Sequence, residues 1–209
     1  MFHTETRKYG PVEVHLLYFE NFFTEEHYHN LLEEEFERLA SMKHPRRRRE
    51  FVATRVLRSM VFGNEHICYN SVGAPYIEGE GFISISHAPH VVGLAFCKDF
   101  QIGLDLEPLA EKAKKVCHKF LSKTEKALLD TESDDEMTKV WSGKEALYKL
   151  AGRKEIIFSD SLLLNKVDDI SWKGIIEFSD LRKIVSLRIL EINDFILSVN
   201  DKPIKVIGK

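Results

Sequence analysis

The chain has 209 residues, of which 44% are hydrophobic and 30% charged, and its formal net charge is −3. This composition is typical of a soluble globular protein, long enough for one core or for two small lobes. The longest apolar stretch, VVGLAFC at 91–97, is far shorter than the roughly 20 residues that a membrane span needs, and the acidic net charge argues against general nucleic-acid binding.

The cysteines and the first ten residues indicate the cellular compartment of the protein. Cys68, Cys97 and Cys117 are odd in number and widely spaced, so we expect free thiols in a reducing cytoplasm. The segment MFHTETRKYG at 1–10 has neither the apolar core nor the small-residue cleavage site of a signal peptide. We therefore expect a cytoplasmic protein.

Two helices are predicted in the first third of the chain. Residues 24–42 carry apolar side chains at helical spacing, and a second helix begins at Pro45 and closes at Gly63. The second helix has an apolar stripe, formed by Phe51, Val52, Val56 and Met60. Its arginines are expected largely outside that stripe; they include Arg48, Arg49, Arg55 and Arg58.

The middle and end of the chain alternate between strands and helices. Segments 82–88, 91–97 and 101–108, separated by turn residues, predict a mostly antiparallel meander. A capping box from Ser122 to Glu125 opens a helix, and residues 135–152 form another that ends at Gly152. From 156 onward we expect four further strands: IIFSDSLLL, KGIIEFSD, IVSLRIL and FILSVN. The order of the elements is helices then strands, followed again by helices then strands, which indicates a rough doubling.

The first chemical constellation is GLDLE at 103–107. Residues two apart on a strand share a face, so Asp105 and Glu107 point the same way. Two carboxylates so placed repel each other unless water or a cation separates them, and oxygen ligands suit Mg²⁺. A solvent-exposed strand face is the alternative.

The second constellation lies on the helix at 135–152. Glu145 and Lys149 are one turn apart and could form an exposed ion pair, with Trp141 in the core. Alternatively, Glu145 could complete a metal site with Asp105 and Glu107, which would place Lys149 beside a phosphate. Gly143, in the middle of this helix, has no role that the pattern explains.

Two further segments could bind an anion. Ser86 and His87 end a predicted strand, where a hydroxyl, an imidazole and turn amides make a small anion site. Zinc at His87 and His90 is disfavoured because no cysteine is near, and Ser86 lacks the glycines of a nucleophile elbow. The RRRR run at 46–49 could supply one or two arginines to a phosphate, or be a solvated helix start.

The order and spacing of five segments resemble the signature series of the 4′-phosphopantetheinyl transferases, in particular the Sfp-type branch. These segments are GAP (73–75), ISISHA (83–88), GLDLE (103–107), FLSKTE (120–125) and WSGKEALYK (141–149). The resemblance implies an α+β fold of two pseudo-symmetric lobes, each a small antiparallel sheet packed with helices. It also implies a monomer with an N-terminal lobe at 1–100, a C-terminal lobe at 101–209 that carries the metal site, and coenzyme A in the cleft between them.

The family transfers the 4′-phosphopantetheine arm of coenzyme A to a serine of an apo acyl or peptidyl carrier protein and releases adenosine 3′,5′-bisphosphate. The resemblance implies Mg²⁺ ligands and a charge-balancing lysine, and it makes Glu145, or a water that it orients, the base that takes the serine proton. The implied ligands are Asp105, Glu107 and Glu145, and the implied lysine is Lys149.

The resemblance also implies contacts for coenzyme A. Ser86, His87 and Arg49 would serve phosphate groups, with His87 and Arg49 at the 3′-phosphate, and Gly73 and Pro75 would border the adenine. Between this glycine and proline the family usually has lysine, whereas this chain has Ala74.

Two other functions remain open from the residues alone. A Mg²⁺-dependent nuclease would use the carboxylates and the basic run, although nuclease sites usually space the last acid and lysine two apart on a strand. A non-catalytic protein that binds a carrier or coenzyme A is the other alternative, against which the intact carboxylates argue.

Overall fold

The computed structural model describes residues 2–20, 24–153 and 155–208. Its first antiparallel sheet has the strand order β1-β2-β6-β5-β4-β3. These strands are β1 (Phe2–Tyr9), β2 (Val12–Phe19), β3 (Cys68–Tyr69), β4 (Pro75–Ile77), β5 (Gly81–Ala88) and β6 (Val91–Cys97). The β1–β2 hairpin adds an N-terminal edge that the sequence reading did not predict.

Two α-helices accompany the first sheet: α1 (Glu33–Ser41) and α2 (Pro45–Phe62). The predicted helix over 24–42 is interrupted, because residues Thr24–Asn30 form a 3₁₀ segment and Leu32 is extended at the start of α1. The second predicted helix is confirmed, with Pro45 at its first position and Gly63 as its C-cap.

The burial of α2 differs from the prediction. Arg55 and Arg58 are buried, and both pair with the buried carboxylate of Glu35, at 2.7 and 3.2 Å. Met60, expected in the apolar stripe, is 57% exposed. The expectation that the arginines lie outside the buried face is therefore wrong for Arg55 and Arg58, because α1 supplies a buried acid that local periodicity cannot reveal.

The second sheet has the order β7-β11-β10-β9-β8, and β12 also pairs with β10. Its strands are β7 (Leu104–Pro108), β8 (Leu162–Lys166), β9 (Ser171–Glu177), β10 (Leu181–Ile192), β11 (Phe195–Asn200) and β12 (Lys205–Gly208). The expected three-stranded meander is wrong in its last member, since β7 leaves β5 and β6 and pairs with β11. The hydroxyls of Ser84 and Ser86 on β5 accept hydrogen bonds from the amides of Leu104 and Leu106. Side-chain hydrogen bonds therefore connect β5 to β7 in place of backbone pairing.

Four α-helices belong to this second half: α3 (Lys112–Val116), α4 (Lys123–Leu128), α5 (Asp134–Ala151) and α6 (Phe158–Ser161). The capping box of Ser122 and Glu125 is confirmed at the start of α4, and α5 ends at Gly152 in the left-handed region. The segment expected as a strand from 156 begins instead with α6 and becomes β8 only at Leu162.

Gly143 now has a physical explanation. A Cβ at this position would lie 2.7 Å from Cδ1 of Ile189 on β10 and 2.8 Å from Cδ1 of Leu164 on β8. Such distances are shorter than close-packed carbon atoms tolerate. The missing side chain therefore lets α5 lie directly on the second sheet.

A shared core joins the two lobes. Buried residues of β2 and β6 pack in one cluster with buried residues of β7 and β11; they include Val12, Val14, Ala95, Leu104, Leu106, Leu197 and Val199. The α+β, two-lobed fold is confirmed, and Cys68, Cys97 and Cys117 are free thiols. The division into domains at 1–100 and 101–209 stays a prediction.

No helix within the described ranges is both long enough and apolar enough to cross a membrane.

Candidate active site

The site is built where α5 crosses β7. Gly103, just before β7, has no side chain, and a Cβ there would overlap the carbonyl oxygen of Ala146. The glycine of the GLDLE segment thus allows the helix to approach the strand. This approach brings Glu145 and Lys149 of α5 to the face of β7 that carries Asp105.

Asp105 is the buried centre of the site, with 4% of its surface exposed. Its Oδ1 accepts hydrogen bonds from Ser86 Oγ and from Lys149 Nζ, both at 3.1 Å. Its Oδ2 is buried and has no hydrogen-bond partner among the described residues. Asp105 is therefore not part of a solvent-exposed strand face, and the carboxylate that Lys149 contacts is Asp105, 44 residues away along the chain.

Trp141 holds the second carboxylate. Its indole Nε1 donates to Glu107 Oε1 at 2.8 Å, and its ring stacks on Phe158 with a centroid separation of 5.5 Å. Trp141 is partly buried and packs against the core as expected, and the sequence did not predict its hydrogen bond to Glu107. Burial raises the pKa of Glu107, the charge of Asp105 raises that pKa further, and the Trp141 hydrogen bond opposes both effects.

Glu145 shares the same electrostatic environment. Burial raises the pKa of Glu145 to about 7, the charges of Asp105 and Glu107 add to this shift, and Lys149 opposes it. The charge of Asp105 thus raises the pKa of both Glu107 and Glu145, as a carboxylate does when others crowd against it. A cation between these carboxylates would oppose that shift.

The three carboxylates are chemically suited to a hard divalent cation. They offer oxygen ligands, and the buried Asp105 Oδ2 has no hydrogen-bond partner among the described residues. Within the described ranges, however, no three His, Cys, Asp or Glu side chains cluster tightly enough to form a metal site as they stand. The donors fit Mg²⁺ in kind.

A cavity of about 470 Å³ opens beside this cluster, within the usual size range of ligand pockets. Its walls include Gly73, Ala74, Pro75, His87 and Lys149. Four of the residues that the sequence reading named for the site therefore meet at one cavity, although the strands and helix that carry them are far apart in sequence.

His87 is neutral in this cavity at physiological pH. Burial lowers the pKa of His87 to about 4, and the nearby positive charges of Lys149 and Arg47 act in the same direction. Its Nε2 lies 3.2 Å from the hydroxyl oxygen of Thr54 on α2. The Thr54 hydroxyl donates to the carbonyl of Glu50, so the single proton of the neutral imidazole lies on Nε2 and Nδ1 can only accept. The ring brings no positive charge of its own.

The arginines of the RRRR run at 46–49 make different contacts. Arg46 Nε and Arg47 Nη1 donate to the buried Glu50, at 2.6 and 3.2 Å, and Arg48 Nη1 donates to the carbonyl of Leu39 at the end of α1. Arg47 lines the cavity, whereas Arg49 is exposed and does not. The structure thus brings Arg47, and not the predicted Arg49, to the cavity.

Ser86 is also placed differently from its predicted phosphate contact. Its hydroxyl donates to Asp105 Oδ1 and accepts from the amide of Leu106, so its single proton is already used. Ser86 is buried and does not line the cavity. In this arrangement it orients the carboxylate of Asp105.

Lys144, which precedes Glu145, has a role that the sequence reading missed. Its fully buried ammonium donates to Glu125 Oε2 at 2.8 Å and to the carbonyl of Phe120 at 2.6 Å. The other oxygen of Glu125 accepts the amide of Leu164 on β8 at 2.8 Å. Glu125 therefore joins α4, α5 and β8, and the capping box was the local signal that could have drawn attention to it.

The cavity also contains residues that were not among the predicted site residues. Arg38, Tyr148 and Arg153 line it. Asn70 shapes the loop before β4, because its Oδ1 accepts hydrogen bonds from the amides of Val72 and Ala74. The Asn70 turn carries a recognisable signal, since asparagine side chains commonly bond backbone two residues on. The other three lie on helix faces or ends whose neighbours depend on the tertiary fold.

Comparison with known proteins agrees with this geometry. A family model described as the 4′-phosphopantetheinyl transferase superfamily matches residues 101–197. That range contains Asp105, Glu107, Glu145 and Lys149. No curated protein matches the chain. Through residues 101–197, a little under half of its length, the chain is similar to the 4′-phosphopantetheinyl transferase superfamily.

Proposed function

We propose that this protein transfers the 4′-phosphopantetheine arm of coenzyme A to a serine of an apo carrier protein and releases adenosine 3′,5′-bisphosphate. The observation that carries the proposal is the contact of Lys149 with the buried Asp105, beside Glu145 and at the wall of a cavity. These residues lie within the range that matches the superfamily. Their chemistry suits a reaction that needs charge neutralisation and positioning more than a covalent intermediate.

The proposed reaction balances without a further reactant. The serine oxygen of the carrier forms a bond to the phosphorus that bears the pantetheine arm, and the bond from that phosphorus to the pyrophosphate bridging oxygen breaks. Glu145 takes the serine proton, and adenosine 3′,5′-bisphosphate leaves with the bridging oxygen. Lys149 carries the positive charge that balances the pyrophosphate as the bond breaks.

Mg²⁺ is the proposed cofactor, held by Asp105, Glu107 and Glu145. The support is the Oδ2 of Asp105, which has no hydrogen-bond partner among the described residues, and the burial and the Asp105 charge that raise the pKa values of Glu107 and Glu145. When bound, the ion would neutralise charge on the pyrophosphate oxygens. Ser86 and Trp141 orient two of its ligands through the hydrogen bonds described above.

Coenzyme A is proposed to occupy the cavity of about 470 Å³. Gly73 and Pro75 would border the adenine, and His87 would lie beside a phosphate group. Arg47 is a better-placed cation for that region than Arg49, because Arg47 lines the cavity. A phosphate contact by Arg49 stays a prediction that requires a different side-chain orientation.

The proposed partner is an apo acyl or peptidyl carrier protein, and the proposed setting is a cytoplasmic monomer of the Sfp-type branch. Carrier proteins are acidic, so a basic or apolar surface near the cleft would favour their docking. Activity on a panel of carriers would identify the pathway that the protein serves.

The test is to incubate the protein with coenzyme A, Mg²⁺ and a panel of apo acyl and peptidyl carriers, and to measure the intact mass of each carrier. We expect one carrier or more to gain the phosphopantetheine mass, and the same carrier with its serine replaced by alanine to gain none. Calorimetry with coenzyme A, with and without Mg²⁺, separates the alternatives. Binding without mass gain on any carrier would favour a non-catalytic binder, and cleavage of nucleic acid without coenzyme A binding would favour a nuclease.

A further inference from the structure

Strand β11 carries a buried serine within an apolar sequence. Ile196 of this strand packs in the core under α5, whereas Leu197 and Val199 pack in the core that joins the lobes. Because alternate strand residues point to opposite sides, Ser198 lies on the same side as Ile196, the side that α5 covers. Ser198 is fully buried, and its Oγ has no hydrogen-bond partner among the described residues. A buried hydroxyl without a partner is costly, so its presence here needs an explanation.

Asp105 on β7 lies directly opposite Ser198. The antiparallel register of β7 and β11 pairs the two residues, and side chains of directly opposed residues share a face, with Cβ atoms about 4.5–5.5 Å apart. Oδ1 of Asp105 accepts from Ser86 and Lys149, whereas the buried Oδ2 has no hydrogen-bond partner among the described residues. A hydroxyl with a proton to donate and a carboxylate oxygen that can only accept are therefore carried by neighbouring residues on one face.

A second side chain of β11 already positions the start of the β7 segment. The fully buried Asn200 accepts the amide of Gly103 through its Oδ1 at 2.9 Å. Asn200 and Ser198 are two residues apart, so they share the side that α5 covers. A serine side chain can rotate about its Cα–Cβ bond between staggered positions. Such a rotation is enough for the Ser198 hydroxyl to reach across to the opposite residue.

We propose that Ser198 is a positioning residue for Asp105, whose Oδ2 accepts a hydrogen bond from the rotated Ser198 hydroxyl. The inference rests on the proposed function, because it takes Asp105 as a ligand of the Mg²⁺ site. Ser86 and Lys149 would then hold one oxygen of the carboxylate and Ser198 the other, which fixes the orientation of Asp105. Hydrogen bonds that orient metal-binding side chains typically change metal affinity about 10–100-fold.

The first measurement is urea unfolding of the full-length protein without metal or coenzyme A. The variants are Ser198→Ala, Asp105→Ala and the double change, with Ser186→Ala as the control. Ser186 lies on the neighbouring strand β10 and faces away from α5, since Val185 and Leu187 on either side of it pack in the core under α5. We expect Ser198→Ala to raise the unfolding equilibrium constant about tenfold, and to have little effect once Asp105 has been replaced.

The second measurement is the affinity of the same proteins for Mg²⁺ by calorimetry, without coenzyme A or carrier. We expect Ser198→Ala to weaken Mg²⁺ binding about tenfold and Ser186→Ala to leave it unchanged. A serine that only fills space in the core would not change Mg²⁺ affinity when its hydroxyl is removed.

Three results would overturn the inference. Removing an isolated buried hydroxyl leaves stability unchanged or raises it, so that result for Ser198→Ala would show that Asp105 is not its partner. An equal loss of stability with and without Asp105 would show a packing effect instead. An unchanged Mg²⁺ affinity in Ser198→Ala would show that the hydroxyl does not position the carboxylate for the metal.

The outcomes also separate this inference from the proposed function. If Asp105→Ala does not fold, the Mg²⁺ affinity of Ser198→Ala decides. If the unmodified protein binds no Mg²⁺, the proposed cofactor fails and the unfolding measurements decide about Ser198. If no carrier gains mass, the proposed function fails, whereas the coupling between Ser198 and Asp105 is still measured.

Discussion

Lys149 on α5 and Asp105 on β7 form an ion pair, with Nζ 3.1 Å from Oδ1. Lys149 also donates to the carbonyl of Leu104, so its ammonium spans the backbone and the side chain of the same strand. The pair lies at the edge of the cavity, because Lys149 lines it and Asp105 is buried behind. A ligand phosphate that enters the cavity would therefore meet a lysine that is already held in place.

Replacing Lys149 by methionine should lower the transfer rate because the pyrophosphate would lose its charge partner. Removing one donor aimed at developing charge typically costs a factor of about 10²–10³, and we expect a loss of that order in kcat/KM. The control is Lys139→Met on the same helix, whose lysine pairs with Asp135 at 2.8 Å. Equal rates in the Lys149 variant and the Lys139 variant would remove Lys149 from the mechanism.

Trp141→Phe should weaken the use of Mg²⁺ while preserving the fold. Phenylalanine keeps a ring against Phe158 but loses the Nε1 donor that Glu107 accepts. Partners that orient metal ligands are typically worth about 10–100-fold in affinity, so half-maximal transfer should need about tenfold more Mg²⁺. In the control Trp172→Phe, the replaced indole lies in the core and its nitrogen has no partner among the described residues. That variant should lose stability without a changed Mg²⁺ requirement.

Gly143→Ala should destabilise the protein, because the new Cβ would overlap Cδ1 of Ile189. Overpacking of this kind costs about 1–3 kcal/mol in free energy of unfolding, which urea denaturation measures. Ile189→Val removes that Cδ1 atom. The double variant should therefore be more stable than the sum of the two single changes predicts, and strict additivity would show that this contact is not the cause.

The stability of the protein should fall between about pH 6.5 and pH 4 because of His87. The pKa of His87 is lowered from 6.5 to about 4 in the folded protein, so the unfolded chain binds a proton more readily across this range. The stabilisation is fully present above pH 6.5 and is lost as the pH falls, by at most about 3 kcal/mol.

Urea unfolding at several pH values, without coenzyme A or metal, checks this by comparison with His87→Gln. Other carboxyl groups titrate in both proteins, so the difference between the two curves isolates His87. The variant should show a shallower loss of stability with falling pH, and parallel curves would contradict the shifted pKa.

The elements that local signals define could be predicted from the sequence. The α5 helix has Ser133 and Gly152 at its ends, and these residues cap it in the structure, one residue from the predicted start. The capping box at Ser122 was likewise visible as a pattern. The β1–β2 hairpin was missed although Val12, Val14 and Leu16 alternate, a period that indicates a half-buried strand.

The partners of the site residues could not be predicted, because they are set by the tertiary fold. Lys149 looked like the partner of Glu145 one turn away, yet it contacts Asp105 on a strand 44 residues earlier. Ser86 lies beside His87 in sequence, but the two face different surroundings since alternate strand residues point to opposite sides. Ser86 therefore meets Asp105, while His87 meets the cavity.

The central claim is that the acids beside Lys149 make this protein a phosphopantetheinyl transferase. The most direct measurement is the intact mass of a responsive apo carrier after incubation with coenzyme A, Mg²⁺ and the protein. The unmodified protein is compared with Asp105→Asn and Glu145→Gln, and Asp135→Asn on the same helix as Glu145 is the control. We expect a full phosphopantetheine mass gain with the unmodified protein and with Asp135→Asn, and no gain with either site variant when both are folded. An equal mass gain with Asp105→Asn and Glu145→Gln would contradict it.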